Sequence, residues 1–290
     1  MPTVDINSEV LESIVAQVGD LPAAPAVLTA AMNLTADLQS NVAELSTVIS
    51  ADQSLTANVL RISNSPYYGR SRTVGTVEEA IVVLGFEAVR SIVIAAATHQ
   101  MFDTKETRGM GQKLWQHAFA TAVCAREISR GIKHPAKDQA FIAALLHDIG
   151  KLIMIVKMPE WYTRVVTKVE EEPTVFRLVE KRVFNFDHCD VAAVLLNSWS
   201  FPVEMIRAVT RHHAPPQPTP GLPVPLAHVV SLSNLMAKTF GVGFADEHPE
   251  DLSQEPTVRT MSLDIEALSE IAAAAKERFD TEAGLFRACG

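Results

Sequence analysis

The chain predicts an all-α protein, and three observations carry that expectation. Apolar residues recur at helical spacing through most of the 290 residues, no alternating strand pattern of useful length appears, and caps, prolines or glycines punctuate the periodic runs. A hydrophobic fraction of 48% beside 20% charged residues describes a globular chain with enough length for a substantial core. The longest apolar runs, such as Ile92 to Ala97, are far shorter than a membrane span, so no transmembrane helix is expected. Met1-Pro2-Thr3-Val4-Asp5 lacks the basic start and apolar core of a secretory signal, which makes the cytoplasm the expected location. Cys124, Cys189 and Cys289 are too scattered for a disulfide framework or a cysteine metal cluster. A formal charge of −9 argues against a broad nucleic-acid surface, because binding a polyanion rests on neutralising its phosphates.

The first helix carries Val10, Leu11, Ile14, Val15 and Val18 and stops at Gly19-Asp20-Leu21-Pro22. A second carries Val27, Ala30, Ala31 and Leu34. Asn41 and Glu44 fit a capping box that opens a helix burying Val42, Leu45, Val48 and Ile49. Another helix runs from about Gln53 to Ile62. Ser63 to Gly69 then reads as a turn, with Tyr67 and Tyr68 expected to pack a helix corner. Thr76 and Glu79 form a second capping box before Ala80 to Leu84, and Gly85 ends that element. Phe86 to about Phe102 is apolar on more than one face, as a central buried helix is. The polar stretch Asp103 to Gly111 is the best internal boundary. It divides an N-terminal helical part, 1–108, from a bundle, 109–245, followed by an extension, 246–290, with one amphipathic helix.

Within the bundle, a helix from Gln112 to about Arg130 turns Leu114, Ala118, Phe119, Ala122 and Val123 inward, with His117 beside that stripe. Lys133-His134-Pro135 is a turn with His134 expected at the surface. The next helix, Ala140 to Leu146, delivers His147-Asp148-Ile149-Gly150-Lys151. An adjacent imidazole and carboxylate are both good ligands for Zn, Fe or Mn. Thirty residues separate His117 from His147, room for an antiparallel hairpin that returns both to one end of a bundle. The charged helices Glu160 to Glu172 and Pro173 to Arg182 suggest a peripheral layer. Asp187 caps a helix with His188 in its first turn and Val191, Ala192, Leu195 and Trp199 as its stripe. Pro202 opens the next, which ends in Arg211-His212-His213. After a proline-rich loop, Leu226 to Phe240 places Val230, Asn234 and Ala237 on one face, and Ser262 to Phe279 is the final amphipathic helix, with Ile265, Leu268, Ile271 and Ala272 inward. Taken singly, these histidines read more readily as ordinary core or helix-end residues than as ligands.

As a set, His117, His147-Asp148, His188 and His212-His213 form the order H…HD…H…HH, which resembles the HD superfamily of metal-dependent phosphohydrolases and its multi-helix bundle. That resemblance implies one metal on His117, His147 and Asp148 with a late aspartate, and a second on Asp148, His188 and His212 or His213. Lys151 would contact substrate phosphate. Two cations bridged by a carboxylate suit phosphoester hydrolysis because they activate water and neutralise phosphoryl oxygens.

Closer still is a resemblance to the HDOD, or HD-related output domain, family, over about residues 10 to 245. It is carried by Leu21-Pro22-Ala23-Ala24-Pro25, the segments Ser50 to Leu55, Asn64 to Gly69 and Ala80 to Gly85, and Asp187-His188 through Trp199-Ser200-Phe201-Pro202. Gln53 stands where that family usually has proline. The resemblance implies a bacterial signalling or regulatory module with a signalling protein as partner. Its implied ligands are a divalent transition metal (Fe, Mn or Zn) and a phosphorylated small molecule or nucleotide. Two positions depart from active phosphohydrolases. Asn234 falls where the late aspartate is expected, and Lys113 stands where the HD-GYP phosphodiesterases often have a metal-binding glutamate; their Gly-Tyr-Pro signature is also absent. The expected function is therefore a regulatory module with little or no catalysis. The alternative is a metal-dependent phosphohydrolase acting on a nucleotide or cyclic dinucleotide, with Asp148 and Lys151 as its catalytic residues.

Overall fold

The periodic runs fold as helices throughout the residues described by the computed structural model: 8–33, 41–64, 73–102, 104–107, 109–172, 174–244 and 251–287. Among these residues no strand occurs. The chain divides into two compact units, one built from residues 1–23 with 102–276, the other from 24–101 with 277–290.

The second of these contains α2 (Ala26–Asn33), α3 (Asn41–Ser50), α4 (Gln53–Ser63), α5 (Val77–Leu84) and most of α6 (Phe86–Phe102). Its core holds Leu28, Leu45, Ile49, Leu55, Val59, Ala80 and Val89, and α6 buries every residue from Ile92 to Thr98. Asn64 pins the end of α4. Its side chain donates to Leu60 O and Val74 O and accepts from Val74 N, closing the chain between the two helices. Thr76 caps α5 by accepting from Glu79 N at 3.1 Å, but the Glu79 carboxylate accepts from Gly75 N instead of completing the reciprocal box. Gly85, at φ +88°, ends the helix in a conformation that a Cβ would strain. Val42 is 36% exposed, against expectation, because the inward stripe of α3 is Leu45, Ser46 and Ile49. The Asn41 side chain and the Tyr67-Tyr68 corner lie outside the described residues.

The first unit begins with α1 (Ser8–Val18), which buries Ile14 and Val18 and leaves Leu11 and Val15 exposed. Gln17 donates to Phe184 O, and the Trp199 indole donates to Pro22 O at 2.8 Å, tying the N-terminal segment into this unit. The expected hairpin is α7 (Met110–Gly131) and α8 (Lys137–Leu146), packed against each other. They are followed by α9 (Ile149–Lys157), α10 (Pro159–Glu171), α11 (Phe176–Phe184), α12 (His188–Ser198), α13 (Val203–Thr210), α14 (Leu226–Lys238), the short α15 (Pro256–Thr260) and α16 (Ile265–Arg287). Helices α7, α8 and α14 pack against one another, and α12 packs on α9 and α13.

The stretch Lys137–Lys157 is long and apolar enough to cross a membrane by length and composition, yet 89% of its apolar window is buried inside the fold. Its side chains are the centre of this unit. Leu145 and Leu146 are fully buried, each contributing about 2 kcal/mol. His134 is a correction: it is buried, its Nε2–H donates to Val224 O at 2.8 Å and its Nδ1 accepts from Ala136 N. Ile265 is exposed at the start of α16, whose inner face begins at Leu268.

Candidate metal centre

His147 and Asp148 occupy the joint between α8 and α9, where one helix ends and the next starts. Gly150 sets how closely that joint approaches α12. A Cβ there would stand 1.9 Å from His188 O, so only glycine lets the start of α9 press against the start of α12. His188 is the first residue of α12, which Asp187 caps by accepting from Cys189 N and Asp190 N. Arg177 and Lys181, at 2.7 and 3.2 Å, hold the Asp187 carboxylate in place. His212 and His213 follow the end of α13, His117 projects from the middle of α7, and Asn234 lies on α14. All seven expected metal ligands, with Lys151, thus converge in one unit.

The tautomers follow from the hydrogen bonds. His147 Nδ1–H donates to Ala144 O at 2.7 Å and His212 Nδ1–H donates to Val209 O at 2.6 Å, in each case a carbonyl three residues back. In the neutral form each ring then carries its lone pair on Nε2. Both Nε2 atoms, and Asp148 Oδ1, are buried with no hydrogen-bond partner among the described residues. An orphaned polar atom in the interior costs about 1–3 kcal/mol, so three together need an explanation. His147 Nε2 faces Asp148 Oδ2 at 3.3 Å, a lone pair opposite a carboxylate oxygen. Two lone pairs so placed call for a proton or a metal ion between them.

The rest of the cluster has the same character. His188 Nε2 lies 3.4 Å from Asp148 Oδ1 and 3.1 Å from His213 Nε2, while the His147 and His212 rings meet edge-on at 5.0 Å. Two imidazole nitrogens bound to one ion at about 2.1 Å each stand roughly 3 Å apart, the spacing of this pair. On the other side, His117 Nε2 is 3.9 Å from Asp148 Oδ2 and 2.9 Å from Asn234 Oδ1. The donor set of imidazoles around a carboxylate fits a divalent transition metal.

Electrostatics prepare the same ligands. Burial, reinforced by His147, pushes the His117 pKa down to about 3. Burial and their imidazole neighbours hold His212 and His213 below the usual range, so these rings are neutral. For Asp148, burial opposes the charge, but His147 and Lys151 outweigh it and keep the carboxyl ionised. His188 runs the other way: burial opposes its proton, yet the Glu180 carboxylate holds its pKa well above the ordinary imidazole value. Cys189 lies behind the cluster. Its Sγ is 3.9 Å from His212 Nδ1, the nitrogen already committed to Val209 O, and burial raises its thiol.

The HDOD domain profile matches residues 21–215 of the chain. The chain belongs to the HDOD domain family. Among solved structures this HDOD fold is similar to an HDOD domain protein of unknown function from Geobacter sulfurreducens, with a TM-score of 0.78 and 22% identity over 96% of both chains. It is also similar to a candidate phosphohydrolase from Shewanella amazonensis SB2B, at TM-score 0.68 and 22% identity over 93% of this chain and 98% of that one. A third is a candidate signal transduction protein from Marinobacter aquaeolei VT8, at TM-score 0.71 and 21% identity over 95% of this chain and 64% of that one. An uncharacterized protein from Treponema pallidum (strain Nichols) is 21% identical over 235 residues, 79% of this chain; the chain spans 44% of that relative's length.

Two features of this HDOD centre escaped sequence reasoning. Helix α11, read as peripheral, turns Phe176 and Glu180 inward: Glu180 accepts from His188, and Lys151 Nζ sits 4.6 Å over the Phe176 ring. The mouth of the centre is a cleft in which Lys151 and Lys238 face Leu114, Phe176 and Phe244. Lys113 bridges to Glu170 at 3.3 Å and lies 5.5 Å over the Phe244 ring.

Proposed function

We propose that this HDOD domain is a metal-binding regulatory module with little or no hydrolytic activity, which engages a signalling protein. The observation that carries the reading is the Asn234 amide, 2.9 Å from His117 Nε2. It leaves Asp148 as the one carboxylate among the candidate ligands, with the Lys151 ammonium 2.8 Å from it. Two divalent ions would bring four positive charges into a buried site where Asp148 is the one carboxylate among the candidate ligands and Glu180 stands behind His188, an excess the interior disfavours. One ion is the balance these residues support, held by Asp148 with His188, His212 and His213, while His117 and His147 complete the opposite wall. When bound, the ion supplies Lewis acidity. Lys151 and Lys238 suit a phosphorylated small molecule or nucleotide at the mouth, as the charged side of the cleft.

A second reading, a phosphohydrolase, is favoured by the orphaned Nε2 atoms of both His147 and His212, which leave donor atoms on both sides of Asp148. Metal content and turnover separate the two. The regulatory reading expects about one equivalent of Fe, Mn or Zn, and phosphatase and phosphodiesterase rates no higher than those of Asp148→Ala. Turnover of a defined phosphoester that Asp148→Ala abolishes would establish the enzyme instead. Protein carrying under about a tenth of an equivalent, prepared without chelators, would remove the metal from both readings. Affinity capture with the wild-type chain, followed by direct binding of the captured component, tests the signalling partner.

A further inference from the structure

Two buried side chains outside the ligand set form a chain of contacts leading to His188. Glu180 is 0% exposed on α11, and Tyr162 is 0% exposed on α10. A carboxylate in the interior is costly unless its oxygens are engaged. Glu180 Oε1 accepts from Tyr162 OH at 2.7 Å. Its Oε2 accepts from His188 twice, from the backbone N at 3.0 Å and from Nδ1 at 2.6 Å. Gripping the main chain and the ring of one residue removes the freedom of His188 to rotate, and the Nδ1–H bond leaves Nε2 to face Asp148 Oδ1 and His213 Nε2.

The other ligands are held differently. His147 and His212 set their tautomers with neutral carbonyls of their own backbone, three residues back. His188 is anchored by a charged group from another helix. A carboxylate behind an imidazole fixes the ring and raises its basicity, making it a stronger donor to a metal.

We infer that Glu180 is a positioning residue of the metal centre, oriented by Tyr162, which makes His188 its strongest imidazole ligand. The role rests on the metal-binding reading above. Helix α11 thereby becomes the outer support of the site, since the same helix supplies Arg177 and Lys181 to the Asp187 cap beneath His188.

The test uses the full chain and Co2+, whose visible absorption reports its ligands. Glu180→Gln is expected to weaken Co2+ binding about 10–100-fold and to change the absorption spectrum. Tyr162→Phe should do the same by a smaller factor. In the metal-free proteins, a long-range 1H–15N spectrum should show His188 Nδ1–H in the wild type and lose or shift it in Glu180→Gln. If Glu180 only docks α11 and caps α12, Glu180→Gln will lower Tm while affinity, absorption and the His188 resonances stay as in the wild type, and the inference is overturned. Should Glu180→Gln fail to fold, wild-type affinity and His188 resonances in Tyr162→Phe overturn it equally. A wild type that takes up no Co2+ defeats the metal-binding reading itself. In that case an unchanged His188 ring in Glu180→Gln separately defeats the positioning role.

Discussion

The two sides of Asp148 are built from the same residue type and differ in what each ring contacts. On one side His117 meets the neutral amide of Asn234, and burial keeps that ring uncharged. On the other, His188 rests on the Glu180 carboxylate and lies 3.1 Å from His213. The difference teaches that the strength of an imidazole as a donor depends on the partner of its own ring. A histidine backed by a carboxylate is a different donor from one facing an amide, although the two are identical in sequence.

Removing what the two sides share should have the largest effect. Asp148→Asn, close in shape but uncharged, is expected to cut metal affinity by more than the roughly hundredfold loss typical of an outer-layer change. Metal-to-protein ratios after gel filtration check it; a stoichiometric ion in the variant would place the metal elsewhere.

Acid sharpens the contrast in the metal-free protein. His117 binds its proton only near pH 3 when folded, whereas unfolded histidine does so near about 6.5. Between those values the unfolded chain holds more protons, so this side loses stability as pH falls. His188, with a raised pKa, adds stability below about 6.5 and loses it as pH rises through its folded value. Urea titrations should therefore show His117→Gln flattening the acid decline and Glu180→Gln leaving more of it; parallel curves for both variants would contradict the assignment.

Gly150→Ala attacks the contact between the His147–Asp148 joint and His188. With His188 O 1.9 Å from the added Cβ, α9 and α12 must separate, at an expected cost of about 3 kcal/mol or more, read as a lower Tm. An unchanged Tm would mean that the contact relaxes freely.

Among the imidazoles, His213→Ala should weaken Co2+ binding about tenfold more than His117→Ala, given that outer-layer support is worth about 10–100-fold. Equal losses in competition titrations would erase the asymmetry. The smallest effect is expected from Asn234→Asp, which supplies the absent carboxylate beside His117 and should raise affinity severalfold; a decrease would show that the amide is itself the favoured partner.

Much of this fold was legible because helices write their own periodicity. The hairpin of α7 and α8 followed from the spacing between His117 and His147, and the caps at Thr76 and Asp187 from single residues. Glu180 was not legible, since it sits among Arg177, Lys181 and Arg182 in a run that reads as a solvated surface. What makes it an interior group is a histidine eight residues on, across a turn. His134 failed for a similar reason: its partner, the Val224 carbonyl, is ninety residues away, and a local reading of Lys133-His134-Pro135 sees only a turn. Gly150 was visible as part of a motif, but its use as a spacer depends on a backbone oxygen of α12.

The division of the chain also bears on how it is made. Neither unit is a continuous stretch: one needs residues 1–23 and 102–276, the other 24–101 and 277–290. A nascent chain emerging from the ribosome exposes α2 to α6 long before the residues that complete their unit, among them the buried Phe279 and Ala283. That unit is therefore complete only once α16 has been made.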